Sequence, residues 1–332
     1  MTEYLVADSL WWDGGWRNAA VLRLDGDTAT PVAEAAGDRR RLPGTLLPGL
    51  TDHHVHSALV DLPTVRAGGI GQVWDLGGVP EKVAELARRT SPKLPRVRFA
   101  GPFLTAPGGY PSDRSWASPG SWREIRSPED AAEAVGAAHA AGATLIKVTA
   151  HAGGPLLPGR TMTAVADAAH ALGRPVVVHA EGPGTVASAL DCGADVLAHT
   201  PWTEPLDDGL ARACAARQTW ISTLDIHGWG TDTPESVTAI GNLRRFRAYG
   251  GTVLYGTDLG NGPLPPAINR REIRALQAAG LTPEEILTAM AGPGVAWIAG
   301  GLDLDPARFA DVLATARVVD ADIRPLDRET PS

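Results

Sequence analysis

Short apolar runs punctuate this chain, and each breaks off in a polar residue. From residue 45 onward they are TLLPGLTDHH, IGQVWDLGG, RVRFAGPFL, TLIKVTAH, PVVVHAEG, DVLAHTPW, TWISTLDIH and TVLYGTDLG. Their length and apolar density predict buried strands. Between them lie stretches with helical spacing, among them PEKVAELARR, SPEDAAEAVGAAHAAG, MTAVADAAHALG, LDDGLARACAARQ and SVTAIGNLRRFRAYG. Ser127-Pro128-Glu129-Asp130 reads as an N-cap, a proline and first-turn acids, and Gly142 as the stop of the same helix. Eight strands alternating with helices predict a parallel sheet. Eight over roughly 250 residues predict an α/β fold of the (β/α)8 TIM-barrel type, spanning residues 46–302. An open doubly wound sheet is the alternative, weakened because no glycine-rich fingerprint follows the first strand. Residues 1–45 and the tail 303–332, with DPARFADVLATARVVDADIRPL, read as short strands. The two ends are expected to pair into one small β subdomain.

The polar residues that end these runs are reactive ones. The first run ends in His54 and His56, the fourth carries Lys147, the fifth ends in His179, the sixth in His199 and the eighth in Asp258. In a barrel the C-terminal strand ends converge on one pocket. Residues two apart on a strand face the same way, so His54 and His56 can grip one ion together while His53 points into the wall. Neutral imidazole and carboxylate are common metal ligands. His139 and His170, in mid-helix, read as ordinary helix residues. Lys147 sits inside a buried strand, whereas the other two lysines, Lys82 and Lys93, are in a surface helix and a loop. A buried ammonium is unfavourable unless paired, and its pKa falls. Such an amine can add carbon dioxide as a carbamate, or pair with an acid such as Asp75 or Asp258; both readings stay open on the residues alone.

Composition narrows the picture little. The chain has 332 residues, is 44% hydrophobic and 20% charged, and carries a net charge of −8 with acids and bases interspersed. Nothing in that balance predicts a nucleic-acid partner. The two cysteines, Cys192 and Cys214, form no framework pattern, which predicts a reducing compartment. The start has no basic segment before an apolar core, and no apolar stretch reaches transmembrane length. A cytoplasmic protein acting on a small molecule, with no membrane or nucleic-acid partner, is the expectation, and a homo-oligomer is left open.

At PGLTDHHVH the chain resembles the opening motif of the amidohydrolase superfamily, a proline-glycine-x-x-aspartate-x-histidine-x-histidine signature. The order His-x-His, lysine, histidine, histidine, aspartate is similar to that of its two-metal members. GATLIKVTAHAGG, PVVVHAEG, GADVLAHTPW and LYGTDLG are similar to blocks of its imidazolonepropionase-like and Xaa-Pro dipeptidase-like branch. The resemblance covers Leu46 to about Gly300. It implies that His54, His56 and Asp258 bind a first divalent ion, that His179 and His199 bind a second, and that carboxylated Lys147 bridges them, with zinc as the expected metal. It also implies hydrolysis of a C–N bond in a cyclic amide, N-acyl compound or dipeptide by a metal-bridging hydroxide, with Asp258 as acid and base. The short tail, which keeps Ala310-Asp311, departs from the family's longer strand region.

The residues after the strand ends supply candidate substrate contacts: Trp74, Tyr110, Trp202 and His227, with His151 as a further catalytic candidate and Arg114 or Arg160 for a substrate carboxylate. Ten tryptophans, several at strand ends, point to an aromatic or flat cyclic substrate. Trp11, Trp12, Trp16 and Trp297 read as packing residues. The alternatives are a one-metal deaminase using Glu181, which the buried Lys147 argues against, a lactone or ester hydrolase, and a non-enzymatic binding homologue.

Overall fold

The computed structural model describes residues 2–26 and 28–319. The chain opens on six short strands, β1 (Thr2–Val6), β2 (Ser9–Trp12), β3 (Gly15–Trp16), β4 (Val21–Asp25), β5 (Thr28–Pro31) and β6 (Arg39–Arg41). β5, β4, β1 and β6 hydrogen-bond in that order. Leu5, Leu10, Leu22 and Leu42 gather with Leu46, Val295 and Trp297 in an apolar cluster of their own.

Parallel strands follow. β7 (Thr45–Val55), β8 (Gln72–Asp75) and β9 (Arg96–Phe99) pair in sequence order. Next come β10 (Phe103–Thr105), β11 (Trp122–Glu124), β12 (Ile146–His151), β13 (Val176–Glu181), β14 (Val196–Leu197), β15 (Thr219–Ile221) and β16 (Thr252–Leu254). These seven form a parallel sheet in the order β11-β10-β12-β13-β14-β15-β16. Parallel neighbours need crossovers, and helices Pro128–Ala140, Gly159–Ala171, Thr185–Asp191, Asp208–Arg217 and Pro234–Ala248 supply them. Ser127 caps the first of these by accepting from the Asp130 amide, as its sequence predicts. The arrangement is an α/β fold with a parallel sheet that fits a TIM-like barrel. Each run predicted to be a strand contains one.

The strands are apolar on both faces because both faces are covered. On β13, Val176 and Val178 join the large core shared with the helices, whereas Val177 joins a separate cluster with Leu76, Ala100, Leu145, Ala198 and Ile221. The 11-residue β7 has two roles. Its first half pairs with β2 and, antiparallel, with β17 (Ala291–Ile298), while its second half pairs with β8. Its tip meets the segment after β16: the His53 amide donates to Tyr255 O at 3.0 Å, Leu259 N to His54 O at 3.1 Å and His56 N to Leu259 O at 2.8 Å.

The tail differs from its expectation as strand. Residues Pro306–Leu313 form a helix, capped by Asp305, whose Phe309, Ala310 and Leu313 enter the large core. Apolar residues spaced three and four apart make a helical face, which the run of small and apolar letters concealed. The only strand beyond it among the described residues is β18 (Arg317–Val318), antiparallel to β17. The strand that joins the N-terminal cluster from the C-terminal side is therefore β17, before residue 303, and the expected contribution of residues 320–332 lies outside the described residues.

Gly256 marks how tightly the tip of β7 is held. A Cβ there would stand 2.3 Å from Ile221 Cγ2 and 3.1 Å from the His54 amide nitrogen. Gly256→Ala is expected to lose about 1–3 kcal/mol, the usual scale of overpacking, read as a lower urea midpoint. Unchanged stability would show that this junction yields.

Candidate metal centre and active site

The tip of β7 does not run as a regular strand. Its register to β8 shifts between Asp52 and Val55. The bulge re-aims the histidines. His54 Nε2 and His56 Nε2 both come to 3.1 Å from Asp258 Oδ1. His53 instead packs edge-on to Trp74, with ring centroids 4.6 Å apart and its Nδ1 2.8 Å from Tyr255 O. Asp258 sits at φ 58°, a left-handed conformation that aspartate tolerates better than most residues.

The tautomers follow from the partners. His54 Nδ1 is 2.8 Å from Ala198 O and His56 Nδ1 is 3.2 Å from Gly77 O. A carbonyl only accepts, so each Nδ1 carries the proton and each neutral ring turns a lone pair at Nε2 toward Asp258. Asp258 Oδ1 is buried and has no hydrogen-bond partner; Oδ2 accepts from Asn261 Nδ2 at 2.8 Å. Two lone pairs thus face one carboxylate oxygen. A single proton cannot serve both. Burial lowers the His56 ring and Asp258 more than offsets it, so that ring is raised; burial holds the His54 and His199 rings well below the usual histidine range. A cation among these atoms satisfies them all, and the donor set of imidazole nitrogens and one carboxylate fits a divalent metal such as zinc. His54, His199 and Asp258 each offer a buried ligand atom, all within 4.8 Å of one another.

The other strand ends complete the pocket. His199 keeps its Nδ1 2.9 Å from Thr223 Oγ1, and its ring is 4.6 Å from His54 and 4.9 Å from His179. His179 Nε2 is 2.9 Å from Glu181 Oε2. Lys147 is 1% exposed, on β12 between Phe103 and Val177. Among the described residues its amine has no ion-pair partner. Burial pushes it down to about 7, against the pull of Asp258 and Asp75. The pairing with Asp75 that its burial suggested is absent: Asp75 accepts instead from the amides of Ser57 and Gly77.

Aromatic rings line the space above. Tyr110 stacks on His179 at 4.9 Å and meets His151 edge-on at 5.2 Å. Trp202 is 5.3 Å from His199 and stacks on His227 at 4.7 Å. Arg114 Nη2 approaches His151 Nε2 at 3.3 Å. Trp74 is the correction. Its indole packs with the Leu76, Ala100 and Val177 cluster, against His53 and under the Arg98 guanidinium, 4.5 Å from the ring centroid. Among the described residues no ring contact joins it to Tyr110, Trp202 or His227. It precedes the strand's last residue, so its side chain fills the sheet interior instead of reaching the mouth. Sequence reasoning missed Phe103 and Trp116, 5.8 and 6.1 Å from the His56 ring; Trp116, in the loop that continues past Tyr110, carried no strand-end signal.

Comparison with solved structures fits this geometry. The A. niger ochratoxinase superimposes with a TM-score of 0.77 at 17% identity, over 95% of this chain and 93% of that one. A solved amidohydrolase gives 0.73 at 19%, over 94% and 95%. The fold is the amidohydrolase fold. A Xaa-Pro dipeptidase with methionine bound in its active site has the same fold, with a TM-score of 0.70 at 16% identity, over 96% of this chain and 91% of that one. No family model and no curated protein matches the sequence. Within the amidohydrolase fold, the histidines, Lys147 and Asp258 sit together at one end of the parallel strands.

Metal binding at this centre predicts a stability change. Zinc at about a hundred times its dissociation constant should add about 2.7 kcal/mol, seen as a higher Tm. His199→Ala should lose most of that gain. An equal rise in the variant would put the bound ions elsewhere.

Proposed function

We propose that this chain is a metal-dependent hydrolase that cleaves a C–N bond in a cyclic amide, N-acyl compound or dipeptide. The observation that carries the reading is the unpartnered Asp258 Oδ1 facing two imidazole lone pairs, in a buried pocket beside a lysine that has no counter-ion among the described residues. The names of the similar structures, a dipeptidase among them, support the bond class. The hydrogen bonds from the tip of β7 to Tyr255 and Leu259, with that from Thr144 N to Phe99 O beyond β9, support closure of β7, β8, β9, β12, β13, β14, β15 and β16 into an eight-stranded barrel over residues 46–302. The N-terminal strands, with β17, would then form the small β subdomain. The two cysteines are buried and unpaired, which suits a reducing cytoplasm.

His54, His56 and Asp258 would hold one ion, and His179 and His199 a second. Two bound divalent ions would supply Lewis acidity toward a carbonyl and lower the pKa of an attacking water. Lys147 would bridge them as a carbamate. Its neutral amine attacks the carbon of carbon dioxide, an N–C bond forms, one proton leaves, and the product is an anion with two oxygens. An amine pushed down to about 7 is substantially neutral at physiological pH, which this step requires. Asp258 takes the proton of the attacking water on its carboxylate and returns it to the departing nitrogen. Asn261 Nδ2 keeps that carboxylate oriented. Tyr110, Trp202 and His227 would bind the substrate as flat walls, and His151, edge-on to Tyr110, would act at the rim once Arg114 releases its Nε2. The deaminase reading loses ground because a one-metal centre has no use for the buried Lys147.

Zinc-reconstituted protein should contain about two ions per chain and hydrolyse members of a panel of N-acyl amino acids, dipeptides and lactams. Turnover of lactones alone would overturn the bond assignment, and one ion per chain the binuclear centre. Lys147→Ala should lose metal and activity together; a variant that keeps both would remove the bridge. Asp258→Asn preserves shape and the left-handed backbone but cannot carry a proton. It should keep the fold while kcat falls at least ~10²-fold, and a near-parental rate would end the proton-transfer assignment.

A further inference from the structure

The helix Arg270–Ala278 opens on Asn269-Arg270-Arg271-Glu272, an N-cap followed three residues later by a glutamate. That spacing is a capping-box signature, in which the glutamate reaches back to the N-cap amide. The structure uses it differently. Asn269 caps the Arg271 amide at 3.0 Å, but its own amide donates to the Tyr255 hydroxyl at 2.9 Å. The Glu272 carboxylate is thereby released from the cap, and it turns to a distant loop. Its two oxygens accept from the Leu224 amide at 3.0 Å and the Asp225 amide at 2.7 Å. The side chain is fully buried, and burial pushes its carboxyl up to about 7. Closing a helix turn requires no such burial; an acid buried against two consecutive amides fixes where those amides lie.

The residue just before those amides is strained. Thr223 stands at φ 42°, a left-handed conformation that a β-branched residue adopts only where its surroundings impose it. Gly256 O holds it on one side, accepting from the Thr223 amide at 3.0 Å. Glu272 holds it on the other, through the two amides that come next. That conformation presents the hydroxyl: Thr223 Oγ1 lies 2.9 Å from His199 Nδ1. With Nδ1 so occupied, Nε2 is the ring nitrogen left to a metal. The clamp extends along the loop. Asp225 takes Asn269 Nδ2 at 2.7 Å and Arg271 Nε at 2.9 Å, and a Cβ on Gly230 would stand 2.9 Å from Arg271 Cδ. His227 sits inside this stretch, stacked on Trp202.

We propose that Glu272 is a positioning residue for the metal centre. It holds Thr223 in the left-handed conformation that brings its hydroxyl to His199, and so sets the angle at which that imidazole meets a divalent ion. It touches neither metal nor substrate. The inference rests on the metal-dependent reading of the adjoining centre and goes beyond it, because it assigns the orientation of a ligand to a carboxylate on a helix that carries none of the ligands.

Two measurements test it, one of them without metal. In metal-free protein with isotope-labelled histidine rings, the His199 ring nitrogens should shift in the magnetic resonance spectrum of Glu272→Gln, in the same direction as in Thr223→Val. Glutamine can accept from only one of the two amides, and valine keeps the β-branch without the hydroxyl. Thr223→Ser keeps the hydroxyl and should leave the signals near their parental values. In competition with a chelator, Glu272→Gln and Thr223→Val should each weaken zinc about tenfold, the usual scale for removing a support behind a ligand. The double variant should lose no more than either single one, since both break the same chain of contacts. Glu272→Asp, one methylene too short to reach both amides, should show the same losses, and it carries the comparison if the glutamine variant does not fold. Unmoved His199 signals in the Glu272 variants, or losses that add in the double variant, would overturn the proposal, leaving Glu272 to the stability of the loop alone. A parental chain that binds no zinc would end the metal reading, while the His199 signals of the metal-free protein would still decide whether Glu272 orients that ring.

Discussion

The site hangs on one buried carboxylate that touches no substrate. Asp52, 1% exposed, accepts from the His54 amide at 3.0 Å and from the Thr257 amide and hydroxyl at 3.0 and 2.6 Å. It therefore binds the bulge that aims His54 to the turn that presents Asp258. Burial pushes its carboxyl up to about 7 even against those three bonds, a sign of how much desolvation the clamp absorbs. A carboxylate in so dry a place is favoured only while every bond is made. Two pieces of chain 205 positions apart are thus held in a single relative position.

The same logic recurs around the pocket. His54 and His56 are locked by carbonyls, and His199 by Thr223, itself at φ 42°. The loop that bears His227 is tied to the helix Arg270–Ala278. Glu272, buried and pushed up to about 7 by desolvation, accepts from the amides of Leu224 and Asp225. Asp225 in turn takes Asn269 and Arg271. His227 Nε2 is left buried without a partner, beside the Trp202 face. Hydrogen bonds thus hold the imidazoles around Asp258, whose Oδ1 lacks a partner.

Much of this arrangement is legible in the sequence. Strand-end polarity locates the histidines, Lys147 and Asp258, because a residue that breaks an apolar run at the same edge of successive strands has one place to go. The amidohydrolase resemblance supplies roles that spacing alone does not. What stays hidden is what depends on the third dimension. A one-residue offset within β8 puts Trp74 in the interior instead of the mouth. Phe103 and Trp116 reach His56 from a connection whose path no periodicity encodes. The helix Pro306–Leu313 is hidden because its apolar letters fit a strand as well as a helical face. Asp52 is visible in the opening motif, but its partner Thr257 is not.

The double role of β7 bears on how such a chain assembles as it leaves the ribosome. The strand that carries the first two histidines is completed by β17, with Leu46 opposite Trp297, so its full pairing waits until nearly the whole polypeptide has been synthesised. Contacts of such sequence separation form late, after their loop-closure entropy has been met by other parts of the fold. Until then the nascent chain can pair this strand with β2 and β8, but it holds its imidazoles with no Asp258 opposite. The candidate centre is thereby tied to the finished polypeptide, and one terminated before residue 258 carries the histidines without the carboxylate they face.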